Sequence, residues 1–411
     1  MRKRLARIGI RLAALAAVIF SIVPGPGANA PAFTWEETVR AARGQTVDWF
    51  MWGGFPDTNT YVNGYAARRV EELYGVKLRQ VPVMDISEVV GKILVEKQAG
   101  KNAGGEVDLM WINGENFRTM KRNRLLFGPF AERLPNHRLV DWSKPSVAND
   151  FGEPVEGLES PWGSAQVVMI YDAERTPRPP ESVGALLDWI RRHPGKFAYP
   201  APPDFTGSVF VRHIFYHVSG EVDAWQGAFD EARFEQAAQA TYALLEDLAP
   251  YLWREGKTYP ESPKRMHQLF ADGEIDFSFS YHPAKASKMI ADGLFPPSVR
   301  TFAFKEGTIA NTHFVAIPFN AAEPGGAMVV ANFLLSPEAQ LHKADPRVWG
   351  DFPAIDIGRL EPDWQQRFAD LPRGAATLPG KVLQEHRLPE PPSEILIRLE
   401  KGWDRHVLKG R

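Results

Sequence analysis

Apolar positions between residues 46 and 112 follow two alternating rhythms. Thr46 to Trp52 (TVDWFMW) is a short apolar run of strand length that ends at the turn signal Gly53-Gly54. Val62, Tyr65, Ala66, Val70 and Leu73 then recur at helical spacing, and Gly75 stands where a C-terminal cap belongs. Val76 to Val83 predicts a second strand, Ser87 caps a helix through Val89, Val90, Ile93 and Leu94, and Val107 to Ile112 predicts a third strand. A β-α-β-α-β series of this kind predicts a parallel sheet with helices on its faces.

The pattern resumes at Ala165 to Tyr171, a strand, followed by a helix over Ser182 to His193 with Leu186, Leu187, Trp189 and Ile190 on its apolar side. A short strand, Lys196 to Tyr199, leads through Pro200 to Ser208 into a helix from Val209 to Val218. Phe234, Ala238, Leu244, Leu245, Leu248 and Leu252 predict a long helix over Glu231 to Trp253. Ile275 to Tyr281 and His313 to Ile317 read as strands that cross between lobes. The last third is mostly helical: Met328 to Leu335, a helix begun by Ser336-Pro337, and Ser393 to Leu408. About 380 residues after the leader exceed one compact unit, which predicts two lobes. No linker separates them, so the lobes are interwoven.

The N-terminus carries an address. Arg2, Lys3, Arg4, Arg7 and Arg11 precede the apolar run Leu12 to Val23, then Pro24-Gly25-Pro26-Gly27 and small residues around Ala28-Asn29-Ala30. This is the layout of a secretory signal peptide, residues 1–32, cleaved after Ala30 or Ala32. The run is too short for a membrane span. Losing the leader's five basic residues leaves 43 basic against 50 acidic residues, a net charge of −7, and no basic run interleaved with aromatics. Nucleic acid is therefore excluded as a partner. The absence of cysteine excludes disulfides and a lipid-bearing cysteine, so the mature chain is expected to be untethered. Twelve Trp, ten Tyr and 25 Phe exceed what a core requires, and several stand beside Gly, Pro and Asn, as cleft-lining residues do.

Three segments carry candidate chemistry. Trp52-Gly53-Gly54 with Asn59 ends the first strand in a glycine turn before a helix, at the carboxyl edge where open α/β sheets bind ligands. It lacks the spacing of a dinucleotide site or a P-loop. Trp111-Ile112-Asn113-Gly114-Glu115-Asn116 closes the third strand with an indole face and two amides that both donate and accept. In Asp204-Phe205-Thr206-Gly207-Ser208, hydroxyls and unpaired N–H groups meet at a helix start, which suits an anionic or polar ligand group. Each also has an ordinary structural reading: a tight turn, an Asx turn and an N-cap. Trp162, Tyr281 and Asn311 lie beside presumed crossings, where Gly and Pro breaks also occur for structural reasons. His213 and His217 have the i, i+4 spacing of metal ligands, but the Glu of HExxH is absent, and they read as a structural pair without a metal. There is no GxSxG elbow and no thiol nucleophile.

The leader, Trp52-Gly53-Gly54, WINGEN at Trp111 to Asn116, PWG at Pro161 to Gly163, PPDFTGS at Pro202 to Ser208, DGEIDFSFSYHP at Asp272 to Pro283 and ANFLLSPEAQ at Ala331 to Gln340 together resemble an extracellular solute-binding protein of an ABC importer. The likeness covers nearly the whole mature chain and is to the YnjB-like branch, related to thiamine, polyamine and iron binders. It implies an α/β fold of the two-lobed type II periplasmic-binding class, each lobe a mixed sheet flanked by helices, joined by crossing hinge strands. The boundaries expected are 33–164 plus 304–411 for the first lobe and 165–303 for the second. Trp52, Asn59, Trp111, Asn113 and Asn116 would approach the solute from one lobe and Asp204, Thr206, Gly207 and Ser208 from the other. Trp162, Tyr281 and Asn311 would stand near the hinge. Implied partners are a small solute, an inner-membrane permease and its ATPase; the mature chain is expected to be a periplasmic monomer with no cofactor. Abundant Trp and Tyr near Asp57, Glu115 and Asp204 suit an aromatic or cationic solute such as a thiamine-like compound, or a polyamine. The helix start at Ser208 equally suits a phosphate or carboxylate. The alternative function is a secreted enzyme on the same scaffold.

Overall fold

The computed structural model describes residues 34–54 and 56–409, so the leader and its cleavage site lie outside the described residues. Two separate sheets organise the chain. The larger contains β1 (Thr46–Trp52), β2 (Lys77–Val83), β3 (Leu109–Ile112) and β4 (Glu159–Gln166). The smaller contains β5 (Val168–Asp172), β6 (Phe277–Ser280) and β7 (Val299–Phe302). Thereafter β8 (Thr308–Ala316) and β9 (Arg387–Pro389) return to the larger sheet, whose order is β9-β8-β3-β1-β2 with β4 on the other side of β8. β1 pairs in parallel with β2 and β3, as the β-α-β-α-β pattern requires, whereas β8 runs antiparallel to β3 and β4. The sheet is therefore mixed.

Alternation in the strands divides the core of the larger sheet. Trp49, Leu109, Trp111 and Val315 pack on one face with the helix Pro324–Leu334; Met110, Ile112 and Phe314 pack on the other with Ile86–Gln98 and Gly114–Arg122. A third core surrounds the smaller sheet and draws on the helices Val183–Arg192, Phe205–Ser219 and Glu231–Leu248. Ile395, Leu399 and Trp403 of the C-terminal helix Ser393–Trp403 belong to this third core, although β9 just before them lies in the larger sheet.

The chain passes between sheets at two places in the middle of the sequence. Only Val167 separates β4 from β5, and residues 303–307 join β7 to β8. At this junction Val167 N–H donates to the Ile309 carbonyl at 2.9 Å and Gln166 N–H to the Tyr281 carbonyl at 2.9 Å. The expected crossing at Ile275 to Tyr281 is corrected: Phe277–Ser280 pairs only with β5, inside the smaller sheet. Its Phe and Ser residues alternate, yet all four are buried, and burial on both faces carries no information about which sheet it joins.

Other boundaries shift for local reasons. The cap of Ile86–Gln98 is Asp85, whose carboxylate accepts the Ser87 N–H at 2.8 Å. Lys196 to Tyr199 forms no strand; Phe197 accepts a single bond from Trp253 N–H, and Lys196 one from Asp276 N–H. The helix expected from Val209 starts at Phe205. Ser182, Gly75, and Ser336 with Pro337 stand as caps and first-turn residues where the sequence placed them.

Candidate functional site

The carboxyl ends of β1, β2 and β3 form one rim. Gly53 is held close to β2: a Cβ there would lie 2.5 Å from the Pro82 Cβ. Asn59 locks this turn, donating to the Gly53 carbonyl at 2.7 Å and accepting from Gln80 Nε2 at 2.6 Å. Its amide is therefore engaged within the rim. Gly54 is exposed beside it. At the end of β3, Asn113 occupies the N-cap position without using its side chain, and Asn116, buried, donates to Glu115 at 3.2 Å. Gly114 has φ 55°, and its N–H donates to the buried Asp150 carboxyl at 2.7 Å. Glu115 is left partly exposed at the rim. Trp52 and Trp111 meet edge to face at 5.3 Å, and Trp111 meets Trp162 at 4.9 Å. Trp162 is fully buried below this pair, against Trp49 and Trp349, so it supports the rim and does not face it.

The second rim is the start of the helix Phe205–Ser219. Asp204 caps it, accepting the Thr206 and Gly207 N–H groups at 2.9 Å each. The amides that the sequence reading offered to an anion are occupied by the chain's own carboxylate, and the N-cap reading describes this loop. Gly207 is required by packing, since a Cβ would stand 1.9 Å from the Pro200 carbonyl oxygen. Gly207→Ala is expected to lose about 1–3 kcal/mol of stability, read as a lower thermal midpoint; an unchanged midpoint would contradict the close approach.

Between the rims lies a buried polar network. Arg212 donates from Nη1 to Glu390 Oε2 at 2.6 Å, from Nη2 to the Tyr281 hydroxyl at 3.0 Å and the Phe205 carbonyl at 3.2 Å, and from Nε to the Ser208 carbonyl at 3.3 Å. The Tyr281 hydroxyl donates to Glu390 Oε1 at 2.6 Å, and Asn311 Nδ2 donates to the same oxygen at 3.0 Å. Phe205 stacks on Tyr281 at 4.9 Å, and Phe151 from the first rim stands 6.1 Å from Phe205. Burial opposes both charges of the pair. Arg212 still ends above its ordinary pKa because Glu390 faces it, and Glu390 ends above its own because burial outweighs Arg212, Tyr281 and Asn311.

More carboxylates surround this pair than it can neutralise. Burial raises Glu115, with Asp85 and Glu390 adding and Arg212 opposing. Glu400, on the C-terminal helix, is pushed up to about 7 by burial, with Glu115 and Asp85 adding and the Ser208 hydroxyl and Arg212 opposing. Among the described residues, Asp85, Glu115, Asp150, Glu390 and Glu400 thus crowd one another, and Arg212 opposes Glu115, Glu390 and Glu400. Because the unfolded Glu400 titrates near 4.5, the folded protein alone holds its proton between that value and about 7. Stability from this group is present at low pH and is lost as pH rises through about 7. Glu400→Gln is expected to flatten the fall in thermal midpoint over that range; an unaltered slope would contradict it.

The other end of the interface has a different character. Lys288 and Asp57 approach to 3.9 Å across it. Gly350 packs on Ala284, where a Cβ would lie 2.9 Å from the Ala284 Cβ. His282 is half-buried beside them with its ring nitrogens buried, and neither nitrogen has a hydrogen-bond partner among the described residues. Burial pushes its pKa down to about 4, against the pull of Asp351, so the neutral ring presents one donor and one acceptor.

The structure thus brings together Tyr281, Asn311, Ser208 and the Asn113 to Asn116 segment, and places Trp52, Gly53, Gly54 and Trp111 on the adjoining rim. Sequence reasoning missed Arg212, Glu390 and Glu400. Arg212 had a signal, a lone charge in the apolar run Val209 to Phe215; Glu390, in a proline-flanked segment, had none. His213 is structural: its Nε2 accepts the Ile309 N–H at 3.1 Å, so its Nδ1 donates to the Val209 carbonyl at 2.8 Å. Among the described residues no cluster of three or more His, Asp or Glu could hold a metal ion.

The sequence profile of the bacterial extracellular solute-binding protein family matches residues 65–369. The chain belongs to this family. Protein YnjB of Escherichia coli (strain K12) is 42% identical over 369 residues, 90% of each chain. Among solved structures, a spermidine/putrescine ABC transporter protein from Listeria monocytogenes superposes with TM-score 0.60 at 16% identity, over 89% of this chain and 99% of that one. A periplasmic thiamin binding protein superposes with TM-score 0.57 at 18% identity, over 88% and 96%. The fold of this solute-binding protein is the type II periplasmic-binding fold, with two α/β lobes and crossing strands, as the sequence resemblance implied. Its role is to bind a solute.

Proposed function

We propose that this solute-binding protein captures a small organic cation between its lobes in the periplasm and delivers it to the permease and ATPase of an ABC-type importer. Among the described residues, the acids Asp85, Glu115, Asp150, Glu390 and Glu400 outnumber the cation Arg212 that opposes them at the interface. A positively charged solute would relieve this imbalance, and a second anion would worsen it. Phe205 and Tyr281, already stacked, offer an aromatic platform beside it, and the unpartnered His282 offers a neutral donor and acceptor for the solute's polar end. Spermidine, putrescine and thiamin, named for structural relatives, are cations of this chemistry.

The first lobe comprises residues 33–164 and the return from 304 to β9. The second comprises 165–303 together with the C-terminal helix, whose apolar side joins its core. Closure brings the rims together, and the closed shape is what the permease recognises. No helix among the described residues is long and apolar enough to cross a membrane. The protein binds its solute without converting it. Native mass spectrometry of gently purified protein tests the reading: a retained organic cation, released unchanged, is expected. A retained anion or sugar would overturn the charge assignment, and conversion of the solute would favour the secreted-enzyme alternative.

A further inference from the structure

A groove of ≈ 290 Å³ runs beside the crossing strands, and none of its lining residues belongs to the carboxylate network. Ser164 and Gln166 of β4 and Thr312 of β8 line it, with Arg387 of β9. Its lining carries two acids, Asp141 and Asp356, and two bases, Lys144 and Arg387, but both acids have partners other than Arg387. Asp141 faces Lys144 at 3.8 Å and Arg359 at 3.5 Å, and Asp356 faces Arg359 at 3.3 Å. Arg387 has no carboxylate within ion-pair distance among the described residues; its one hydrogen bond runs from Nη2 to the Asn311 carbonyl at 3.1 Å. A guanidinium presents five N–H donors in a planar fork, so most of this one is unused. Burial, acting alone, pushes its pKa down to about 10, a direct sign that its charge lacks compensation.

The walls favour one class of anion. Phe352, Ile355 and Leu383 add apolar surface to the lining beside the polar strand residues. A carboxylate matches the guanidinium fork with two parallel hydrogen bonds and carries an organic body, which a free inorganic anion does not. We propose that this groove is a second binding site, separate from the Arg212–Glu390 network, for a small organic carboxylate held by Arg387 with its apolar body against Phe352, Ile355 and Leu383. The site does not depend on the identity of the solute carried in the cleft.

Benzoate is the probe, titrated into the full protein by calorimetry, with inorganic phosphate in parallel. Saturable benzoate binding is expected, with phosphate weaker. Arg387→Gln is expected to weaken benzoate about tenfold or more, the loss of a charge-assisted bidentate contact. Gln384 lines the same groove and is exposed, so Gln384→Glu keeps the fold and places a competing carboxylate beside the fork. It too should weaken benzoate. Absence of saturable benzoate binding, phosphate binding tighter than benzoate, or equal benzoate affinity in Gln384→Glu and the parent would overturn the proposal.

Discussion

Arg212→Met is expected to cost about 3–5 kcal/mol of folding stability, seen as a lower urea midpoint, because it leaves Glu390 buried without its counter-charge. The cost extends beyond the ion pair. The Phe205 and Ser208 carbonyls also lose their Arg212 donors, and these belong to the helix start that forms the second rim. Tyr281 and Asn311 still donate to Glu390 Oε1, so the carboxyl retains two bonds but must take up a proton to remain inside. The double replacement Arg212→Met with Glu390→Leu should recover part of the loss, since removing both charges ends their shared desolvation cost. A single variant within about 1 kcal/mol of the parent would show that the pair is solvated and not the centre of the interface.

Glu115→Gln is expected to weaken capture of a cationic solute about tenfold or more while leaving the fold intact. The two readouts move in different directions for a physical reason. Glu115 is a carboxylate that burial and its acidic neighbours hold above its ordinary pKa, so its charge costs stability in the empty protein. The folded state binds its proton more readily than the unfolded one, and stability is lost as pH rises through the raised value. An amide removes that cost. The solute, however, loses an attraction formed in a partly dry site. Thermal midpoints at pH 8 should therefore be unchanged or slightly higher, alongside the weaker affinity by calorimetry. Weaker binding together with a collapsed midpoint would assign Glu115 a structural role instead.

Local physics explains which features were legible in the sequence. The strands around Val47 to Met51 and Leu109 to Ile112 could be read because their residues are buried and bounded by glycine or capping signals. Caps at Ser182, Gly75 and Ser336 could be read for the same reason: each uses its own side chain or its own backbone freedom within a few residues. The rim at Gly53 and at Asn113 to Asn116 was legible as a strand end. What filled those rims was not. Asn59 and Asp204 are polar residues of the right kind in the right loops, yet each is engaged by its own turn, a choice decided by Gln80 in one case and by the Thr206 and Gly207 amides in the other. The partners of Arg212 are 69 and 178 residues away, at Tyr281 and Glu390. No periodicity links such positions, because their meeting depends on how the two sheets and the C-terminal helix pack. The same applies to the misplaced crossing at Ile275 to Tyr281, where a doubly buried strand looks alike in either sheet.

On the proposed function, the interlobe carboxylates select a cationic organic solute. Isothermal titration of the mature protein at pH 8 with thiamine, spermidine and putrescine, set against an anionic and sugar panel, tests it most directly. One-to-one binding of a cation, weakened as pH falls through the value near 7 at which Glu400 takes up its proton, is the predicted result. No heat with any of the cations, with saturable binding of an anion or a sugar, would contradict it.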